Sequence, residues 1–257
     1  MLLHDRIVSY TDDKCGNRKK HNNLLLLLEK FDAHCKQYRL PYSLAYGSAL
    51  GCVRNQGFIP WDDDVDIMMK RADYDRFFKT LQEGKSYLSK DCYIQVPLFL
   101  PKIYDSASED NSIHIDVYAI DNAPDGYIKR NLKLLAVQTV KNVILGRCGI
   151  DNTVFRKVRK ACAIIISFPF GVVRIKESFT AICTKDNSSR TSKVSSYFAG
   201  HRSIGKYFPY SMMEKIKYMK FEDIELPVME DYDMYLTMEY GNDYMTPKTK
   251  TGRTIKC

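Results

Sequence analysis

Two short segments of this chain alternate apolar with polar or acidic residues, and a two-residue period is the signature of a β-strand. Residues 64–69 read D-V-D-I-M-M and residues 113–121 read I-H-I-D-V-Y-A-I-D. In a strand, successive side chains point to opposite faces. Asp64 and Asp66 therefore share one face while Val65 and Ile67 point into a core. In the second segment Ile113, Ile115, Val117 and Ala119 share a face opposite His114, Asp116 and Tyr118. Carboxylates stacked at the mouth of a strand make a hard oxygen site suited to Mg²⁺. Taken alone, residues 62–66 also read as a solvated acidic turn before an ordinary strand.

The surrounding pattern places these strands in an α+β arrangement. Spacing of Leu24–Leu28, Phe31, Ala33 and Cys35 predicts a helix over 18–38, ended by Pro41. Tyr42–Tyr46 reads as a short buried strand leading into Gly47-Ser48, Ala49–Asn55 as one or two helical turns, and Gly57–Asp63 as a loop. After the strand at 64–69, Tyr74, Phe77, Phe78 and Leu81 predict a helix over 71–84. Residues 92–104 are extended but interrupted by prolines, hence broken or at a sheet edge. Residues 129–179 are basic, apolar and predicted helical, residues 186–196 form a polar loop, and a strand pair around 218–226 precedes a helix running from about 227–230 to Tyr240. The expected organisation is a catalytic core over 1–125 and a mainly helical basic region with a C-terminal closure over 126–257, packed as one domain.

Composition narrows the partners. The net charge of +8 favours anionic ones: phosphates, nucleic acid or a membrane surface. Nucleic acid is not expected, because the basic residues are not interleaved with aromatic stacking residues. Eight cysteines include no C-x-x-C pair and no cluster with histidine, which argues against zinc and for buried free thiols in a reducing cytosol. The first residues carry charges where a signal peptide needs an apolar run, and no stretch has the roughly 18 apolar residues needed to span a bilayer. A cytoplasmic protein is expected, or one peripheral on the inner face of a membrane.

A Gly-Ser turn opening a helix, a strand carrying two alternating aspartates and a third carboxylate on a neighbouring strand together resemble the nucleotidyltransferase fold. Gly47 lets the backbone approach a phosphate, the helix behind it offers free N–H groups, and Ser48 adds a hydroxyl. Asp64 and Asp66 hold one or two Mg²⁺ or Mn²⁺ ions, and Asp116 completes the coordination or takes a proton from the attacking hydroxyl. Asp62, just before the strand, is a ligand, a water-mediated contact or a cap. Arg54 is the first candidate for contact with a donor phosphate, and Lys102, in L-P-K-I-Y-D, the second.

The run GSALGCVRNQGFIPWDDDVDIMM makes the resemblance more specific. With RADYDRFF, IHIDVYAIDNAP and EDYDMYLTMEYGNDYMTP, it resembles the LicD family, which includes bacterial phosphocholine transferases and relatives of fukutin and the fukutin-related protein. The tail KTKTGRTIKC lacks the basic-plus-histidine ending common in that family. The resemblance implies a transferase that moves a phospho-alcohol group, such as phosphocholine, from a CDP-linked donor to a hydroxyl of a cell-surface glycan or lipid-linked glycan, with CMP released. The alternative is a true nucleotidyltransferase that releases pyrophosphate from a nucleoside triphosphate; a third reading is a basic nucleic-acid- or membrane-binding protein with a decayed site.

Other residues read as structural. Trp61 is expected to pack its loop into the core, His114 to be a satisfied structural histidine, Asp121 a turn residue, and Tyr240, Gly241 and Tyr244 part of fold closure. Residues 156–176 (RKVRKACAIIISFPFGVVRIK) are either a buried helix with a cationic rim or a peripheral contact with an anionic membrane.

Overall fold

The computed structural model describes residues 5–84, 86, 88, 92–95, 100–106, 110, 112–147, 171–198 and 205–247, with only the backbone described at 92–95, 145–147 and 172. The chain divides into two compact units, one drawn from Met1–Gln95, Pro101–Ala119 and Ser211–Cys257, the other from Val96–Leu100 and Ile120–Tyr210.

In the first unit, α1 (Arg18–Tyr38) carries Leu24, Leu25, Leu27, Leu28 and Phe31, all fully buried. So many adjacent apolar positions cannot share one narrow stripe, so the helix sits deep in the core. It ends where Arg39 turns left-handed (φ 53°) and the Leu40 N–H reaches back to the Cys35 carbonyl at 2.9 Å. A glycine usually closes a helix this way, and Pro41 then prevents its continuation. Next, β1 (Ser43–Leu44) pairs antiparallel with β2 (Val65–Lys70), Ser43 opposite Met68 and Leu44 opposite Ile67. Between these strands lies α2 (Tyr46–Asn55), and α3 (Arg71–Gln82) follows β2. The helix α2 starts earlier than its spacing predicts, so Gly47 and Ser48 lie inside its first turn rather than before it.

Three more strands of this sheet are β3 (Cys92–Gln95), β4 (Lys102–Asp105) and β5 (His114–Ala123), in the order β1-β2-β5-β4-β3. β4 pairs antiparallel with β5, Lys102 opposite Asp116 and Tyr104 opposite His114. The β5 face carrying Ile115, Val117 and Ala119 is buried as its period requires, as is Ile113 just before the strand.

In the second unit, α4 (Tyr127–Arg147) packs against α5 (Val172–Thr184). The end of β5 pairs with β6 (Lys193–Ser195), which pairs with β7 (Phe208–Pro209). A strand therefore lies inside the segment expected to be a polar loop. Asp121 also departs from expectation: β5 runs on to Ala123, and the fully buried Asp121 accepts a hydrogen bond from Asn187 Nδ2 at 2.7 Å instead of ending a strand at a turn. Lys133 is buried too, its amine donating to the carbonyls of Asn122 and Cys183 and to Asp186 at 2.8–2.9 Å. Residues 156–170, most of the basic apolar stretch singled out above, lie outside the described residues.

The chain then returns to the first unit through β8 (Ile216–Phe221) and β9 (Ile224–Met229), a hairpin, and α6 (Tyr232–Tyr240). The Met229 N–H donates to Ser43 Oγ, and the Tyr46 N–H donates to the Tyr235 hydroxyl, each at 3.0 Å. Pro227 belongs to β9, so the last helix begins later than predicted. Among the described residues no helix is long and apolar enough to cross a membrane. Cys35, Cys52 and Cys183 are free and buried. Cys15 is disulfide-bonded, contrary to the expectation of free thiols; pairing depends on which cysteines folding brings together, which spacing does not reveal.

Candidate active site

The loop between α2 and β2 carries Asp62, Asp63 and Asp64, and three polar anchors fix it, two of them buried. His21 of α1 stacks on Phe58 with centroids 4.2 Å apart, and its Nε2 lies 2.7 Å from the Asp62 carbonyl. A carbonyl can only accept, so Nε2 carries the hydrogen and Nδ1 accepts from the Tyr10 hydroxyl at 2.8 Å. Asn17 donates to the Pro60 carbonyl at 2.9 Å. The third anchor is Glu222, fully buried in the β8–β9 turn. Its carboxylate accepts from the N–H groups of Val8, Ser9 and Phe58 and from the Ser9 hydroxyl, at 2.6–2.8 Å. It also lies where a side chain on Gly57 would be, since a Cβ there falls 2.1 Å from Glu222 Oε1. None of these anchors has a local sequence signature. Trp61 is 41% exposed, so it is not buried in the core as expected; the polar anchors hold the loop instead.

The loop delivers Asp64 to the start of β2, and Asp66 follows as its second residue. Because β5 lies beside β2, Asp116 joins them: carboxylate oxygens of Asp64, Asp66 and Asp116 lie within 4.8 Å of one another. Asp62, Asp63 and Asp64 form a second group by the same measure. Ser48 is buried, and its hydroxyl accepts the Asp66 N–H at 2.9 Å, tying the first turn of α2 to β2. A Cβ on Gly47 would fall 2.1 Å from Asp62 Oδ2. Only glycine therefore lets this carboxylate lie against the positive N-terminal end of α2.

Burial, then repulsion from Asp64, Asp116 and Asp62, pushes the Asp66 carboxyl well above the usual carboxylate range, opposed by the hydroxyl of Tyr118. Asp64 is raised as well, by burial first and then by Asp116 and Asp63. Clustered buried carboxylates of this kind attract a cation. Three oxygen donors fit Mg²⁺, whose ligands at about 2.1 Å stand roughly 3–4 Å from one another.

One resident cation is already beside the cluster. Lys102 Nζ is 2.7 Å from Asp116 Oδ1 and 2.6 Å from His114 Nε2. An ammonium has no lone pair, so His114 Nε2 accepts and its proton sits on Nδ1, which has no hydrogen-bond partner among the described residues. His114 thus contacts the site rather than being a satisfied structural histidine. Burial lowers its pKa, with Asp116 opposing.

Arg54 is half-buried and held by Asn55 Oδ1 at 3.0 Å and the Tyr244 carbonyl at 3.4 Å. Tyrosines wall the other side. Tyr118 meets Tyr46 edge-on at 4.9 Å, and burial followed by the charge of Asp66 pushes up the pKa of both Tyr118 and Tyr240. Parity put Tyr118 on the Asp116 face, yet nothing in its neighbours marked it as a partner of Asp66. Tyr240, expected only to close the fold, lies within the field of Asp66 and Asp62.

Residues 39–141 match the family model described as LicD/FKTN/FKRP, nucleotidyltransferase domain. They form a LicD-family domain. The match spans every residue of the carboxylate cluster, along with Gly47, Ser48, Arg54, Lys102 and His114. Across more of its length the chain is similar to the lipopolysaccharide cholinephosphotransferase LicD of Haemophilus influenzae, at 26% identity over 254 residues, 86% of this chain and 88% of that protein. The LicD-like similarity therefore extends beyond the domain, taking in residues outside 39–141.

Proposed function

We propose that this LicD-family chain is a Mg²⁺-dependent transferase that moves phosphocholine, or a closely related phospho-alcohol, from a CDP-linked donor to a hydroxyl of a lipopolysaccharide or similar surface glycan. The observation that carries the reading is the Asp64–Asp66–Asp116 cluster with Lys102 against it. Asp64, Asp66 and Asp116 would hold the metal, with Asp62 at the margin against α2. When bound, magnesium supplies neutralisation of the phosphate oxygens. The acceptor oxygen attacks the distal phosphorus, a new O–P bond forms, and the bond from that phosphorus to the bridging oxygen breaks. CMP departs with the bonding electrons. Asp116 would take the acceptor proton, a role supported by Lys102 binding its Oδ1 and not its Oδ2. Lys102 and Arg54 supply positive charge toward the donor phosphates.

The test is incubation of the purified chain with Mg²⁺, acceptor glycan and CDP-linked alcohols, with CMP as the readout. CMP release that depends on metal and acceptor is the expected result; its absence with every such donor would end this reading. The matched model's description as a nucleotidyltransferase domain favours one competitor, attack at the α-phosphorus. That reaction would show as pyrophosphate from a nucleoside triphosphate in the same assay.

A further inference from the structure

Charge is divided unevenly between the two units. Residues 120–210 hold sixteen Lys/Arg against five Asp/Glu, a net of +11; residues 96–100 carry no charge, and the first unit sums to −3. The basic excess of the whole chain therefore belongs to the second unit.

Within that unit α4 is built inside out. It contains Lys129, Arg130, Lys133, Lys141 and Arg147 and no acidic residue. Its buried side carries Lys133, Val137 and Ile144. On the opposite side Ile128, Leu132 and Leu135, spaced i, i+4, i+7, are 74%, 61% and 60% exposed. A helix on a globular surface normally turns its polar side to water. Here an aliphatic ridge faces outward, with the exposed Tyr127 and Lys129 at its flanks. On α5 the exposed Val173 is followed directly by the exposed Arg174.

We propose that this outward face of α4 rests on an anionic lipid surface. Ile128, Leu132 and Leu135 enter the boundary between headgroups and acyl chains, and the positive charge of the unit holds it to anionic headgroups. An anionic bilayer offers apolar depth and negative charge together over an area wider than the ridge. A protein partner would need an apolar groove rimmed by acids to do the same. Attachment through this face lies flat on the surface, and it does not depend on the catalytic reading.

The experiment is flotation of the full-length chain with two kinds of vesicle, phosphatidylcholine alone and phosphatidylcholine with roughly 30% phosphatidylglycerol. The wild type is expected to float with the anionic vesicles only, and to be released as salt rises from about 0.1 to about 0.5 M. The triple variant Ile128→Asp, Leu132→Asp, Leu135→Asp is expected to lose binding by about tenfold or more, while its circular dichroism and melting curve stay at wild-type values. If that variant is misfolded, the neutral pair Leu132→Gln, Leu135→Gln serves in its place, with the same loss expected in weaker form. Wild type that ignores anionic vesicles, or folded variants that bind them as wild type does, would overturn the proposal. So would a wild type that stays off lipid but forms a dimer which the variants break, since the ridge would then cover a second copy of this chain.

Discussion

Asp64, Asp66 and Asp116 repel one another in a buried corner, and what each substitution does depends on whether a cation is present. With metal bound, Asp64→Asn or Asp66→Asn is expected to lower turnover by roughly 10²–10⁴-fold while leaving far-UV circular dichroism unchanged. Thermal melts test the same site without catalysis. Saturating Mg²⁺ should stabilise the wild type, by about 2.7 kcal/mol at a hundredfold over Kd, and EDTA should remove the shift. Asp66→Asn should show little of it; a variant that responds to Mg²⁺ like the wild type would place the ion elsewhere. Gly47→Ala puts a methyl group onto the Asp62 carboxylate. It should cost about 1–3 kcal/mol in urea unfolding and reduce turnover through displacement of Asp62.

Among the elements, the acidic loop is only as well placed as the hairpin and helix that hold it. Glu222 joins residues 8–9 to Phe58 through four hydrogen bonds. Glu222→Ala takes the acceptor from three N–H groups, that of Phe58 buried and those of Val8 and Ser9 partly so, and is expected to destabilise by about 1–3 kcal/mol; Glu222→Gln, which keeps one acceptor oxygen, should cost less. Chemical denaturation measures both. Helix α1 brings a pH dependence of its own. His34 Nε2 donates to Thr80 Oγ1 at 2.8 Å, because that hydroxyl already gives its hydrogen to the Phe77 carbonyl. Burial pulls the His34 pKa from 6.5 down to about 4, and burial lowers that of His21 as well. Between those two values the unfolded chain takes up a proton that the folded chain refuses. Stability present above pH 6.5 is therefore lost as pH falls toward 4, and His34→Gln should flatten that part of a melting-temperature profile.

At the scale of the whole molecule, the first unit is closed by its own C-terminal segment. Tyr235 accepts the Tyr46 N–H at the start of α2, and Tyr235→Phe, which removes that acceptor, should cost about 1–3 kcal/mol. Strand periodicity was enough to read Asp64, Asp66 and Asp116 and to assign their faces, because alternation is a local property of an extended backbone. The leucine-rich helix was legible with both its ends, because helical spacing is local too, and the hairpin near 218–226 and the last helix were legible with ends shifted by a few residues. Nothing local could reveal that β5 lies beside β2, which is what turns three aspartates into one cluster. Nor could it place Lys102 against His114 and Asp116, which parity had already put on one face, or put the Asp62 carboxylate where only glycine leaves room. The anchors His21 and Glu222 were silent for that reason as well, since their partners lie about 40 and more than 160 residues away. The chain by itself determined which side chains face the same way. Only tertiary packing decided which of them meet, because long-range contacts follow from how apolar faces are buried together rather than from any neighbour along the sequence.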